Sequence, residues 1–427
     1  MRRLTKVTLA GLSAAGLLVA GVTTHALGTT PAKDDAPKAR TAAPDDLPNP
    51  LGDKQRAMKQ RAMEKTIAGD ATIQHKGDSK VMKLGKGDYV QMSLEKEDPI
   101  FSILTEFGDQ TDPRTGGSAG PVKNQIPQPD RDWNGDATDD NSTNWAPDFD
   151  RQHYMDMFYA EGEDSFRDFY LKQSGGKYTV KGDVSDWVSV PFNEARYGSN
   201  EISEADGYWN YVKDTAKAWY DDQKASGKTD AEIKDYLAQF DVWDRYDHDG
   251  DGNFDEADGY IDHFQAIHAG AGEEAGGGAE GGDAIWSHRW YAFSNNIGQS
   301  GPDFNKLGGV PLGDSGMWIG DYTTEPENGG LGVFAHEYGH DLGLPDLYDT
   351  AGGDNGVGFW SLMSSGSWLG EGFDSIGTKP GYMGAWDRLM LGWVDYEVVP
   401  VEGGKQKITL GPAGKPGSNP GAVVVNL

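Results

Sequence analysis

The sequence predicts an α/β fold in which an apolar helix packs on a β-sheet. Short β-branched and aromatic runs, such as residues 99–107, alternate with amphipathic segments, such as residues 206–225. This alternation is typical of strands and helices that share one layered domain. Hydrophobic residues make up 37% of the chain, enough for a packed core, and its 60 glycines predict many loops.

The elements are predicted in chain order from these patterns. Residues 99–107 (PIFSILTEF) read as a buried strand, because they are rich in β-branched and aromatic side chains. Residues 165–173 read as a helix, which Gly175 and Gly176 end. The other predicted elements are a strand pair over 178–190, helices over 206–225 and 230–240, and strands over 260–268, 285–293 and 317–322.

The N-terminus is typical of a targeting segment. Basic residues within 2–6 precede an apolar run over 7–22, and residues 24–26 resemble a signal-peptidase site. We therefore predict a signal peptide over 1–26 and an extracellular, secreted protein. The alternative is a membrane anchor, but the run is short for a span. No later stretch is long enough to cross a bilayer, so no stable membrane span is expected after cleavage.

Three further segments are predicted after the signal peptide. Residues 27–50 have the Ala, Pro, Thr and Asp content of a linker, and residues 53–69 are good helix formers. We interpret 27–98 as a pro-segment with its linker, an inhibitory one being one possibility and an ordinary N-terminal subdomain the alternative. Residues 99–398 form the predicted main domain. Residues 399–427 are expected to begin a truncated C-terminal region, because the last residues read like the middle of a strand.

Charge and cysteine content exclude several classes of protein. The formal net charge of −30 would repel phosphates, so nucleic acid is not an expected partner. Such acidity indicates either solubility outside the cell or cation binding. The chain has no cysteine, which excludes disulfides, zinc–thiolate sites and a cysteine nucleophile. Bound metal ions are a natural replacement for disulfides in a secreted protein.

One acidic segment has the spacing of an EF-hand calcium loop. Gly252 stands at the sixth position, where a sharp turn is needed, and Phe254 at the apolar eighth. The last position holds an Asp, one methylene shorter than the usual Glu. We predict a structural calcium site, the alternative being a solvated acidic turn, and the number of ions is left open. Its candidate ligands are Asp247, Asp249, Asp251, Asn253, Asp255 and Asp258.

A second motif has the spacing of a catalytic zinc site. His336 and His340 are one helical turn apart, so both imidazoles face the same side and can bind one tetrahedral zinc ion. Glu337 follows the first histidine and can lie beside the metal without binding it. There it can accept a proton from a zinc-activated water as a general base.

The residues after the histidines predict the third ligand. Gly343 can adopt φ > 0, end the helix and turn the chain back. Asp346 can then reach the zinc, which leaves a fourth position open for water and substrate. Asp349 or a distant carboxylate remains an alternative third ligand.

Met363 lies 17 residues beyond Asp346, in Ser361-Leu362-Met363-Ser364. In metzincin-type proteases a methionine turn forms an apolar floor under the zinc histidines, and we expect Met363 to pack there without binding the metal. The alternative is an ordinary core methionine. Some of these enzymes carry a Tyr two places after the Met, but Ser365 stands there, so we predict no tyrosine donor from this turn.

Four segments carry a resemblance to a known family. They are HEYGHDLGLPDLYD over 336–349, IWSHRW over 285–290, HAGAGEEAGGG over 268–278 and FYLKQSGGKYT over 169–179. These segments, in their order along the chain, resemble the immune inhibitor A family (M6) of secreted bacterial metalloproteases. The resemblance implies a metzincin-like catalytic domain, secretion as a zymogen, calcium-stabilised folding, broad protein substrates and further C-terminal domains.

Carried over by residue, the resemblance implies that His336 and His340 bind zinc and that Glu337 is the general base. Asp346 matches the position after Gly343-Leu344-Pro345. The sequence thus predicts a zinc endopeptidase of protein or peptide substrates with one catalytic zinc, and a strand over 317–322 that pairs with the substrate. The alternatives are a calcium-dependent binding or adhesive protein with an inherited zinc site, and a zinc hydrolase of a non-protein cell-surface substrate. Oligomeric state is not predicted.

Overall fold

The computed structural model describes residues 43–426, except 78, 137–139, 142, 163, 355, 372–375, 401, 403, 413–414 and 416–418. These residues belong to one compact unit, 37–427. The predicted signal peptide and the linker up to residue 42 lie outside the described residues. Within the described part, no helix combines the length and the apolar character needed to cross a membrane.

The described elements alternate as the sequence predicts. The helices are α1 (Pro50–Ala68), α2 (Arg151–Tyr159), α3 (Phe166–Gln173), α4 (Ala195–Gly198), α5 (Glu204–Ala225), α6 (Asp230–Leu237), α7 (Leu331–Asp341) and α8 (Ala385–Met390). The strands are β1 (Ile73–Lys76), β2 (Ser79–Gly85), β3 (Asp88–Gln91), β4 (Glu97–Glu106), β5 (Thr179–Ser189), β6 (Phe264–His268), β7 (His288–Tyr291), β8 (Val310–Pro311), β9 (Trp318–Ile319), β10 (Asp321–Pro326), β11 (Tyr396–Pro400) and β12 (Ala422–Asn426).

A five-stranded sheet of order β5-β4-β6-β10-β7 organises the fold. The first four strands are parallel, and β7 runs antiparallel at the edge. The three interior strands are almost wholly buried, as expected for a parallel sheet covered on both faces. Side chains alternate between two apolar cores, because Ile100 and Leu104 of β4 lie in one and Phe101 and Ile103 in the other.

Each face of the sheet has its own helical cover. Helices α5 and α6 bury Trp219 and Leu237 in the core that contains Phe101. Helices α2, α3 and α7 bury Phe158, Phe166 and their neighbours in the other core. Phe334 of α7 packs edge-on to Phe158, with ring centroids 5.1 Å apart. The helix with the paired histidines is therefore supported from below by aromatic packing.

Most predicted elements are confirmed, and four differ. The 285–293 strand is limited to β7 (His288–Tyr291). Residues 178–190 form the single strand β5 instead of a pair, because they pair alongside β4 with one irregularity in register. The 260–268 strand begins only at Phe264. The expected strand over 317–322 is divided into β9 and β10. Since β10 lies between β6 and β7 inside the sheet, the predicted pairing of this segment with a substrate is wrong, and the edge strand on this side is β7.

The N-terminal region, residues 43–91, belongs to the same compact unit. Helix α1 begins where the Asn49 side chain accepts a hydrogen bond from the Leu51 amide, and Pro50 opens its first turn. Strands β1, β2 and β3 form a separate antiparallel sheet. Just before α1, the chain lies along the outer edge of β7. The Leu47 amide donates to the Arg289 carbonyl at 3.0 Å, and the Arg289 amide donates to the Asp45 carbonyl at 2.6 Å.

Candidate metal centre

Helix α7 ends in a turn that depends on one glycine. Gly343 has φ of 98°, the left-handed conformation that favours glycine. Its amide donates to the His340 carbonyl at 2.9 Å, and the Leu344 amide donates to the Gly339 carbonyl at 3.0 Å. These two bonds form a Schellman motif, which closes the helix and reverses the chain. The predicted turn is present, and it returns Asp346 to the histidines.

Four side chains converge at this turn. Each of Asp45, His336, His340 and Asp346 offers one ligand atom, and these atoms lie within 4.8 Å of one another. The two histidine Nε2 atoms are 3.0 Å apart. Asp346 Oδ1 lies 3.3 Å from the Nε2 of His336 and 3.2 Å from that of His340. Asp45 Oδ2 lies 3.4 Å from His336 Nε2.

The orientation of the two imidazoles is fixed from behind. His336 Nδ1 is 2.8 Å from the Leu362 carbonyl, and His340 Nδ1 is 2.7 Å from the Leu344 carbonyl. A carbonyl can only accept, so each Nδ1 carries the proton and each neutral ring has its lone pair on Nε2. Two lone pairs that face each other repel unless a cation lies between them.

The donor set fits a tetrahedral divalent cation. Ligand bonds of roughly 2.0–2.1 Å at the tetrahedral angle place ligand atoms about 3.3 Å apart, close to the distances found between these four residues. The carboxylates of Asp346 and Asp45 outweigh burial and raise the pKa of His336 well above its usual value, so positive charge is favoured here. The nearby histidines outweigh burial and hold the pKa of Asp346 well below its usual value. Two imidazoles with a carboxylate are ligands that zinc accepts.

Glu337 lies on the same helix and is 1% exposed. Its Oε2 atom is buried and has no hydrogen-bond partner among the described residues. Burial and then the negative charge of Asp45 raise the pKa of this carboxyl well above its usual value. A cation held by the neighbouring ligands would favour the ionised form instead. Glu337 is thus a buried carboxyl whose protonation responds to what binds beside it.

Met363, expected from the sequence to pack near the histidines, contacts helix α7 at Gly339, which lies between them in the sequence. It is fully buried, and a Cβ added at Gly339 of α7 would come within 2.5 Å of its sulfur. Its carbonyl accepts a hydrogen bond from the Leu347 amide at 2.7 Å. The same short segment supplies the Leu362 carbonyl that orients His336. Met363 therefore holds the loop that carries Asp346 through its hydrogen bond with Leu347. The absence of a side chain at Gly339 allows its close contact with α7.

Two residues at the centre are absent from the sequence-based prediction. Asp45 comes from the N-terminal region, where only a linker composition was evident. Tyr348 follows the third predicted ligand by two residues, and its hydroxyl donates a hydrogen bond to Asp45 Oδ1. Neither role has a local sequence signal, because both depend on contacts between distant segments.

The predicted calcium ligands are divided among several contacts. Asp247 and Asp249 form a group with Asp244, and Asp249 and Asp251 form another with Glu256. Asn253 donates to Glu256 Oε2 at 2.7 Å, and Asp255 accepts from Ser79 Oγ at 3.0 Å. Asp258 lies apart from both groups, where its carboxylate accepts hydrogen bonds from Tyr260 and Asn305.

Asp244 and Asp247 are the most deeply placed of these carboxylates. Asp244 is fully buried, and Asp247 is 8% exposed. Among the described residues, Asp244 Oδ1 and Asp247 Oδ2 have no hydrogen-bond partner. Burial raises the pKa of Asp247, which indicates that its charge lacks compensation. Asp244 was missed because it precedes the EF-hand-like pattern by three residues.

Comparisons with known proteins identify the family to which the chain belongs. The profile of the immune inhibitor A peptidase M6 catalytic domain matches residues 86–394. The chain is 42% identical over 252 residues to Immune inhibitor A of Bacillus thuringiensis subsp. alesti, which covers 55% of this chain and 34% of that relative. It is 39% identical over 271 residues to Pre-pro-metalloprotease PrtV of Vibrio cholerae serotype O1 (strain M66-2), which covers 58% of this chain and 27% of that relative.

The matched part therefore spans about a third or less of the length of these relatives. The family profile, in contrast, covers most of the chain and includes the helix and turn that hold the two histidines and Asp346. The chain belongs to the immune inhibitor A family of M6 peptidases.

Proposed function

We propose that the chain is a secreted, metzincin-like zinc endopeptidase of extracellular proteins, held latent by its own N-terminal segment. The observation that carries the proposal is the convergence of His336, His340, Asp346 and Asp45, each with one ligand atom within 4.8 Å of the others. Three ligands come from the motif segment, and the fourth comes from outside it. A catalytic zinc site needs such a fourth position for exchange with substrate and water.

The mechanism assigns one role to each residue. Zinc, when bound, supplies a Lewis acid that polarises the scissile carbonyl and lowers the pKa of a water molecule towards about 7. Glu337 takes a proton from the attacking water as the new C–O bond forms. The same carboxyl then gives the proton to the leaving amine as the C–N bond breaks. The Leu362 and Leu344 carbonyls keep the histidines in the binding tautomer.

The proposed latency rests on how residues 45–47 are held. Their backbone pairs with the edge strand β7, and the Asp45 carboxylate lies against the histidines. Peptides commonly bind to a sheet by adding a strand at its edge, so the segment covers the edge where we expect substrates to bind. We propose that the pro-segment comprises residues 27–98. Full activity is expected only after it has been removed.

Calcium is proposed as a structural cofactor at the loop after α6. The supporting contacts are the buried oxygens of Asp244 and Asp247, with Asp249 completing the group. Carboxylate oxygens are the ligands that calcium prefers. Asp247 and Asp249 are predicted ligands that remain in this set, and Asp244 is added to them. Asp258 is left out of the proposed site, and Asp251 lies beside Asp249 in the neighbouring group.

The proposed activity is tested by casein cleavage with the chain, Glu337→Gln and a matched control. Each protein is assayed after limited proteolysis of the N-terminal segment, with and without a zinc chelator. We expect Glu337→Gln to lower turnover by roughly 10²–10⁴-fold, because the general base is lost. Zinc content should remain one ion per chain. The control Glu201→Gln changes an exposed glutamate and should cleave like the parent.

Two results would contradict the proposal. Equal cleavage by Glu337→Gln and the parent would remove the general-base assignment. The second result is a parent protein that retains zinc, has lost residues 45–47 and still does not cleave casein. It would exclude endopeptidase activity on this substrate.

A further inference from the structure

The geometry points to Tyr348 as a further catalytic residue, a neutral hydrogen-bond donor to the substrate oxygen that becomes an oxyanion. We infer this role from the way the Tyr348 hydroxyl and the ligand cluster hold the two oxygens of Asp45. The inference rests on the proposed peptidase function, and it names a group that stabilises the reacting carbonyl.

The Asp45 carboxylate is a useful stand-in for a reacting peptide group. Its Oδ2 atom lies 3.4 Å from His336 Nε2, on the side of the ligand cluster. Its Oδ1 atom accepts the hydrogen bond from the Tyr348 hydroxyl. Among the described residues, Tyr348 is the one hydrogen-bond donor to this carboxylate. One carbon with two oxygens is thus held between the ligand atoms and a phenol.

Peptide hydrolysis creates a carbon with the same demand. When water adds to the scissile carbonyl, the tetrahedral carbon carries two oxygens, and negative charge develops on them. One faces the metal ligands, as Asp45 Oδ2 does, and the other requires a donor. A phenol that already points at this place can donate a hydrogen bond to this oxygen without giving up its proton. Glu337 still moves the proton that the leaving amine receives.

The backbone on either side of Tyr348 is fixed before substrate arrives. The Leu347 amide donates to the Met363 carbonyl at 2.7 Å, and the Asp349 amide donates to the Asp354 carbonyl at 3.0 Å. A Cβ added at Gly356 would come within 2.9 Å of Tyr348 Cα, so the chain is closely packed there. The Tyr348 ring lies 6.4 Å from the His336 ring, between centroids. A donor held this way needs no reorganisation during the reaction.

This position differs from the one considered in the methionine turn. Ser365 occupies that place in the sequence, so the turn offers no phenol. Tyr348 instead comes from the loop that carries the third ligand, two residues after Asp346. The ligand loop thus supplies both a metal ligand and a donor, and a single segment positions them relative to each other.

The test compares Tyr348→Phe with its parent in the full-length chain carrying Asp45→Ala, so that no carboxylate of the segment lies against His336. Zinc content, kcat and KM are measured with a peptide substrate. Binding of a phosphinic peptide, whose tetrahedral phosphorus carries two oxygens, is measured by calorimetry. The control is Tyr382→Phe, which removes the hydroxyl of a tyrosine that is 50% exposed and outside the ligand cluster.

We expect Tyr348→Phe to lower kcat by roughly 10²–10³-fold with KM and zinc content nearly unchanged. The affinity for the phosphinic peptide should fall by a similar factor, and Tyr382→Phe should match the parent in every measurement. Unchanged kcat and phosphinate affinity would overturn the inference, as would a loss of zinc or a change in KM alone. A parent that binds zinc but does not cleave would contradict the proposed function, whereas the phosphinate comparison still tests Tyr348.

Discussion

At the scale of single residues, the two histidines and Asp45 are each held by a hydrogen bond to a group outside the ligand set. The His336 and His340 side chains face one another because two backbone carbonyls hold their Nδ1 protons. Asp45 is held by Tyr348 through one oxygen and faces His336 with the other. Removing one such contact should therefore have a specific effect on the site.

Asp45→Ala in the full-length chain should raise peptidase activity before any processing. The change removes the carboxylate from the fourth position while the rest of the segment can still pair with β7. A lost charge-assisted contact is worth roughly 1.5–3 kcal/mol, so activity should rise about tenfold or more. The measurement is initial cleavage rate by unprocessed protein.

The matched control for Asp45→Ala is Asp46→Ala. Asp46 is the neighbouring carboxylate, and it pairs with Arg56 of α1 instead of the histidines. A similar rise in both variants would indicate that loosening of the segment, and not loss of a ligand, controls latency.

The sequence predicted His336, Glu337, His340 and Asp346 because their arrangement is set within one helix and one turn. Local spacing is enough when the positions are joined by a helical turn and a glycine. Asp45 and Asp244 were not predicted, since each reaches its site only after distant segments pack together. Tyr348 lies inside the recognised motif, but its role becomes visible only through its contact with Asp45.

At the scale of elements, the end of α7 matters more than its length. The Schellman turn at Gly343 places Asp346 opposite the histidines. The predicted elements that are accurate are those whose bounds follow from a local sequence pattern. Buried strands such as β4 have continuous apolar runs, whereas the division between β9 and β10 depends on Gly320, which lies against the Tyr291 ring. Such tertiary contacts are absent from a local pattern.

Gly343→Ala should lose stability and zinc affinity together. A Cβ at φ of 98° costs roughly 1–2 kcal/mol, and no neighbouring atom lies within 4 Å of it, so the cost belongs to the backbone. Zinc affinity should fall on the order of tenfold or more, because Asp346 is displaced. Urea unfolding and zinc titration measure the two effects.

Gly276→Ala is the matched control, because Gly276 has φ of 93° and also has no neighbour within 4 Å. It should lose similar stability and keep its zinc affinity. Equal zinc affinity in both variants would show that the turn is not what positions Asp346.

At the scale of the whole molecule, the acidic loop over 247–258 contacts the N-terminal sheet of β1, β2 and β3 and so joins it to the main domain. A Cβ at Gly252 would come within 2.6 Å of the Tyr89 ring of β3, and Asp255 accepts a hydrogen bond from Ser79 of β2. The loop proposed to bind calcium therefore also forms the surface on which this sheet packs. Cation binding there should stabilise both parts at once.

Removal of calcium should lower the thermal unfolding temperature of the full-length chain. At a calcium concentration a hundred times Kd, one site contributes about 2.7 kcal/mol. Asp244→Asn should abolish the calcium-dependent shift, because a buried ligand loses its charge. Asp303→Asn is the control, since Asp303 is fully exposed and outside the group. An equal calcium-dependent shift in Asp244→Asn and the parent would exclude this site.

The pairing of residues 45–47 with β7 has a consequence for the proposed latency. The main-chain carbonyl of Asp45 is directed to the Arg289 amide, and only its side chain faces the histidines. The Asp45 peptide carbonyl is therefore engaged by the sheet edge, and the ligand cluster is contacted by the carboxylate. In the latent form that we propose, this segment would act as an inhibitor and not as a slow substrate, so we expect the first cut to fall elsewhere in the chain.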